Sequence, residues 1–215
     1  MNAYGAPAIR GRHLLVFVAV SVLVGLAGGY LIRPVLAGGS LMTILALFFA
    51  VGLLGVAVAV APLGLAALPA LGFRRVGWHP IVFGTLGTAA LSVAVSQLGI
   101  EPQGMKQAMK FGREPAQLFA SFLVLAVLAP LVEELVFRGL LYGWLESRWN
   151  SWVAFALSSL AFAAAHYEPA HILLVLPLGL LFGWLRRRSD SLVPSLVAHA
   201  ANNGLAVVAA AFFAS

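Results

Sequence analysis

Glu133 and Glu134 stand side by side inside an apolar run from Gln117 to Trp144, and Arg138 lies four residues beyond the second carboxylate. The chain has only seven acidic residues. A charged group in a segment this apolar is costly and marks a functional site by default. Two further motifs repeat the four-residue spacing: Phe162 with His166, and His199 with Asn203. Residues four apart share a helix face. Three helices therefore each offer one face bearing reactive or polar groups, and surrounding lipid tails give those faces a reason to meet in the interior.

The chemistry follows from the residue types. Glu134 and Arg138 form an i,i+4 pair with the acid N-terminal, the better order, and are read as neutralising each other. Glu133 points about 100° away around the helix and is left for chemistry. A carboxylate in such a place suits a general base acting on water. His166 is placed to hold or polarise that water. His199 and Asn203 are placed to donate hydrogen bonds to a developing oxyanion. Together these groups read as hydrolysis of a peptide bond by an activated water. Rival chemistries lack their residues. The helical zinc-protease pattern His-Glu-x-x-His is absent; His166-Tyr167-Glu168-Pro169-Ala170-His171 has its acid at the wrong offset, and Pro169 disfavours a continuous helix. Asp190 is the only aspartate, so an aspartyl dyad cannot form. Ser158 and Ser159 lack a Gly-x-Ser-x-Gly context and read as helix-packing residues. With no cysteine in the chain, disulfides, thiol chemistry and cysteine-based zinc sites are excluded.

These groups need elements to carry them. The chain is 62% hydrophobic and 9% charged, with mean hydropathy +1.00, against roughly 25% charged residues in a soluble domain. An all-α, polytopic membrane helix bundle follows. Each span takes about 20 mostly apolar residues, which predicts about seven transmembrane helices, or eight if the long second region splits at Pro62 and Pro69. The predicted spans are about Leu14–Ile32, Leu41–Ala61 (extending towards Leu71), Pro80–Ile100, Ala116–Leu145, Ser151–His166, His171–Leu185 and Ser191–Phe213. Arg33-Pro34 is expected to close the first and Ala37-Gly38-Gly39-Ser40 to form a turn. The stretch Glu101–Pro115, with Met105, Lys106, Met109, Lys110 and Arg113, fits a short interfacial helix. Residues 1–215 read as one membrane domain, with 116–208 as the core carrying the motifs and 1–100 as peripheral spans. The N-terminal apolar run reads as a retained first span rather than a signal peptide.

The net charge of +6 does not point to nucleic acid. Its arginines sit in short clusters between apolar runs: Arg10/Arg12, Arg74/Arg75, Arg148 and Arg186-Arg187-Arg188. Under the positive-inside rule these mark cytoplasmic loops, with the N-terminus cytoplasmic and the C-terminus outside. The Ala/Gly/Leu/Arg-rich composition points to a bacterial cytoplasmic membrane. Counting from the break after Leu145, Glu133 lies about 20 Å deep at 1.5 Å per residue. His166 falls near the opposite end of its helix, so a straight, full-length fifth span aligns them poorly. Tilt, a break at Gly139 or Gly143, or a short fifth span would bring them together in a cavity between the midplane and the cytosolic side.

The three motifs in order, Glu133-Glu134-x-x-x-Arg138 with Phe137-Arg138-Gly139 inside it, Phe162-x-x-x-His166 and His199-x-x-x-Asn203, resemble those of the CAAX-protease and bacteriocin-processing (CPBP) family of intramembrane endopeptidases. The resemblance covers about Ala116 to Val208. It implies that Glu133 activates water, that Glu134 and Arg138 support it, that His166 binds the water, and that His199 and Asn203 stabilise the oxyanion, with Phe162 supporting. It leaves both a zinc ion on Glu133, His166 and His199 and a metal-free water as readings. Asparagine is a poor zinc ligand, which favours the metal-free one, so no cofactor is firmly expected. The implied substrate is a membrane-embedded or lipid-anchored protein or peptide, including a bacteriocin precursor. Two other functions use the same buried charges: a non-proteolytic immunity or scaffold protein, and a proton-coupled small-solute transporter.

Overall fold

Capping residues and prolines set the helix limits in this computed structural model, which describes residues 7–31, 40–110 and 114–213. Arg33-Pro34, Ala37–Gly39, Arg113 and the predicted end of the first span at Ile32 lie outside the described residues. Helix α1 is Gly11–Leu31. Ser40 opens α2 (Leu41–Val60), its hydroxyl accepting from the Thr43 amide. Around Pro62 the chain tightens into a 3-10 segment, Ala61–Ala66, kinked at Gly64, before the short α3 (Ala67–Leu71). Trp78–Ser96 is α4 and Gln103–Ala108 is α5. Pro115, at the first helical position where its missing N–H costs nothing, starts the long α6, Pro115–Arg148. Asn150 then caps α7 (Ser151–Ala164) by accepting from the Trp152 and Val153 amides. Pro169–Ser189 is α8 and Val193–Phe213 is α9.

The described residues contain no strand, and six of these helical stretches are long and apolar enough to cross a membrane. The seventh apolar helix, α7, has 14 residues. That is about 21 Å of helix, short of the roughly 30 Å hydrocarbon core. Of the expected remedies for the depth mismatch, the short fifth span is the one present, and His166 lies just past its end. A short helix does form within Glu101–Pro115, as α5.

Helix α6 is the central element. Half of its most apolar window is buried inside the protein, against 6% for α1. It packs on α2 and α9, while α9 also packs on α4 and α8, and α7 pairs with α8. Two stretches of α6, Phe122–Leu128 and Leu135–Leu141, are wound as π-helix. Such widened turns recur at functional sites. Here they flank the turn that carries Glu133 and Glu134.

The arginine-bearing ends are brought together by contacts. The Ser147 hydroxyl donates to Ile9 O at 3.0 Å, Leu192 N to Gly72 O at 2.8 Å, and the Ser191 hydroxyl to Arg74 O at 2.9 Å. One correction arises in this region. Arg186 was expected in a basic loop, but α8 runs on to Ser189 and turns Arg186 inwards on the same face as Phe182. It is 2% exposed, lies over the Tyr142 ring, and donates from Nε to Arg138 O at 3.2 Å.

Gly72 makes room for that guanidinium. Its φ is +95°, and a Cβ there would lie 2.8 Å from Arg186 Nη2. Gly72→Ala is expected to lower stability by about 1–3 kcal/mol, measured as a drop in the thermal unfolding midpoint of the purified protein in detergent.

Candidate active site

The Glu134–Arg138 pair forms in the wall between α6 and α8. Arg138 Nη1 donates to Glu134 Oε1 at 3.0 Å, and both side chains are fully buried. Arg138 Nη2 donates to Gly179 O at 2.8 Å, and the guanidinium lies 4.3 Å above the Phe162 ring. The Phe162 ring seats on Gly179, where a Cβ would come within 2.8 Å of it. A phenylalanine between a cation and a glycine locks the α6–α7–α8 junction, which accounts for Phe162 through packing.

Glu134 has a second partner, which corrects the reading of it as Arg138's counter-ion alone. His199 Nδ1 lies 3.2 Å from the same Oε1. A carboxylate already paired with arginine accepts only, so Nδ1 carries the proton. The bond fixes the ring's direction, in the way carboxylates orient catalytic and metal-bound histidines. The other ring nitrogen, Nε2, then faces Glu133 Oε2 at 3.6 Å. Phe182 stacks on the imidazole with centroids 4.6 Å apart, and Phe162 meets it edge-on. Glu133, Glu134 and His199 thus form one constellation, with Glu133 the carboxylate that retains access, its side chain 22% exposed.

His166 reaches the same neighbourhood from α7. Its Nδ1 is 2.9 Å from Phe162 O, an acceptor, so Nδ1–H donates and Nε2 is free to accept. Phe162 touches both His166 and His199. Glu133 and His166 line a shared cavity of about 700 Å³. The remaining wall is apolar and comes largely from the first two helices, including Phe17 and Gly25 of α1 and Phe48 and Gly52 of α2. The N-terminal spans expected at the periphery therefore supply one side of this cavity, because α1 packs on α2 and α2 on the turn carrying Glu133.

Asn203 is engaged elsewhere. In the first π-helical stretch Ala129 N donates to Val124 O, five residues back, and Pro130 has no N–H. Leu125 O is thus left without its helical donor, and Asn203 Nδ2 fills the place at 3.0 Å. Asn203 does not line the cavity that Glu133 and His166 share. Its amide retains a second N–H. Asn203→Ala leaves a buried carbonyl unpaired and is expected to cost about 1–3 kcal/mol, read as a lower unfolding midpoint.

Among the described residues no group of three His, Asp or Glu side chains is placed to hold a metal ion. His199 holds Nδ1 on Glu134 and His166 holds Nδ1 on Phe162 O, which leaves Nε2 on each ring.

Helix α8, which carries no motif, contributes Gly179, Phe182 and Arg186 to the site's support. The sequence signal was present in part: Gly179 and Gly183 repeat at the four-residue spacing typical of close helix contacts. Ser159 packs against Gly183, so its packing role is the one seen. Nothing local to Arg186 distinguishes it from Arg187 and Arg188.

Residues 115–205 match the family model described as type II CAAX prenyl endopeptidase Rce1-like. The chain is similar to an uncharacterized 24.3 kDa protein of Escherichia coli, 31% identical over 151 residues, which is 63% of this chain and 65% of that protein. It is also similar to the UPF0177 protein YaiH of Lactococcus lactis, 31% identical over 107 residues, 49% of this chain and 44% of that protein. The matches span less than two thirds of the length of these curated relatives. No solved structure matches the chain.

Proposed function

From a chain whose residues 115–205 match the Rce1-like family model, we propose an intramembrane endopeptidase that hydrolyses a peptide bond of a membrane-embedded or lipid-anchored substrate. The observation that carries the reading is the placement of His199. Its ring is held by Glu134 at 3.2 Å and faces Glu133 at 3.6 Å, beside an apolar cavity that Glu133 and His166 line together.

In the reaction we assign, Glu133 takes a proton from a water that His166 Nε2 holds by accepting its other hydrogen. The water oxygen bonds to the scissile carbonyl carbon, and the carbonyl electrons move onto oxygen. His199, carrying a proton on Nε2 as well as the one Nδ1 gives to Glu134, and the second N–H of Asn203 are the groups assigned to that oxyanion. As the oxyanion collapses the C–N bond breaks, and Glu133 returns its proton to the leaving amine. The products are a carboxylic acid and an amine, with one water consumed. No step runs through a metal.

We place the arginine-bearing end, where Ile9 meets Ser147 and Arg74 meets Ser191, on the cytosolic side under the positive-inside rule, in a bacterial cytoplasmic membrane. The test is a comparison of the membrane and secreted peptidomes of cells carrying the wild type and Glu133→Ala. Peptides that vanish in the variant, while the variant stays folded and inserted, support the reading and identify the cleavage site. An unchanged peptidome overturns it.

A further inference from the structure

His166 is followed at once by a strained turn. Tyr167 is not glycine, yet its φ is +58°. Around it Glu168 N donates to His166 O at 2.6 Å, an i→i+2 bond. A γ-turn with positive φ is rare and strained. Such a conformation persists only where its surroundings over-determine it. Tyr167 is 88% exposed and lines the cavity with His166 and Glu133.

The restraint comes from a segment 65 residues away in sequence. The Glu168 carboxylate accepts from both exposed amides at the start of α5: Gln103 N to Oε1 at 2.8 Å and Gly104 N to Oε2 at 3.1 Å. These backbone donors hold its carboxyl below the usual range for glutamate. Helix α5 is itself anchored at both ends. Pro102, at its N-cap, is fully buried. Met109, at its C-cap, packs on the cluster of Phe49, Val124 and Leu125. The short helix is therefore a strap from α2 and α6 to the turn after His166.

We propose that Glu168 is a positioning residue: by clamping the α5 amides it stabilises the strained turn at Tyr167 and thereby holds His166 in its orientation at the cavity. The inference rests on the assigned role of His166 in the proposed endopeptidase. The clamp replaces what a glycine at position 167 would supply, since only glycine takes positive φ without cost. His166 sits past the last residue of α7, and its ring is held on one side by the Nδ1 bond to Phe162 O and by edge contacts with the Phe162 and His171 rings. The turn fixes the other side.

The test uses the full-length protein in lipid nanodiscs and needs no substrate. Two quantities are read in wild type, Glu168→Ala and Glu168→Gln. One is hydrogen exchange at Gln103 and Gly104. The other is the rate at which diethyl pyrocarbonate modifies His166, normalised to exposed His79 in the same sample. Glu168→Ala is expected to speed exchange at least tenfold and to raise the normalised His166 rate at least threefold. Glu168→Gln, which keeps one acceptor oxygen, should fall between the two. Faster exchange with an unchanged His166 rate reduces the clamp to a tether for α5 and overturns the proposal, as does a variant in which neither quantity moves. Should Glu168→Ala not fold, the isosteric Glu168→Gln carries the same comparison against wild type. Because neither readout involves cleavage, failure here is distinct from failure of the endopeptidase reading, which the Glu133→Ala peptidome decides.

Discussion

Glu133→Gln is expected to lower the cleavage rate by about 10²–10⁴-fold, the usual contribution of a positioned general base, with little change in thermal stability. The asymmetry follows from the surroundings. Glutamine keeps the volume and the dipole of the side chain but cannot take a proton from water. Among the described residues Glu133 has no short hydrogen bond that the substitution would break; His199 Nε2 lies 3.6 Å away. The measurement is a rate on a substrate recovered from the peptidome comparison, with the unfolding midpoint of the same preparation as control. A variant within a few-fold of wild type would remove Glu133 from the base role. A variant that loses both rate and midpoint would make it a structural carboxylate.

The second large effect falls on stability. Arg138→Met should destabilise the protein by about 3–5 kcal/mol, because it strands the fully buried Glu134 carboxylate in an apolar interior. The Gly179 carbonyl loses a donor in the same change. The double variant Glu134→Leu/Arg138→Met, which removes both charges, should recover a large part of that loss, since replacing a whole buried ion pair with apolar groups is often nearly neutral. It should not recover cleavage. Glu134 also holds His199 Nδ1 at 3.2 Å, and no methionine or leucine replaces that acceptor. Thermal unfolding of the two variants and the rate of the double variant together separate the pair's structural part from its part in orienting His199. Equal destabilisation in single and double variants would show that the cost lies in lost packing around Phe162, not in the unpaired charge.

The split between stability and activity reflects how the motifs divide. Phe162 and Arg138 contribute through packing at the α6–α7–α8 junction, where Gly179 allows close approach. Glu133 and His166 face the cavity. His199 belongs to both sets, stacked on Phe182 on one side and turned to two carboxylates on the other. Asn203 repairs a backbone defect that Pro130 and the π-helical turn create in α6.

What the sequence determined by itself was local in origin. Composition and run length predicted a helical membrane bundle, because continuous apolar runs of about 20 residues fit a spanning helix, which satisfies its own backbone in lipid. The four-residue spacings placed Glu134 beside Arg138 and Phe162 beside His166, because residues four apart share a face in any α-helix. The tertiary structure decided whatever depends on which helices touch. Glu134 meets His199 across 65 positions, and Arg186 reaches Arg138 O across 48; no periodicity encodes either contact. The shortness of α7 was one of several ways the sequence left open to bring His166 near Glu133, and packing selected it. The cavity wall from α1 and α2 and the clamp from Glu168 to α5 likewise arise from packing between segments that carry no motif. The polar groups of the three motifs could be named from the chain, but their contacts between helices could not, because a hydrogen bond between helices depends on helix position and depth rather than on the residues beside it in sequence.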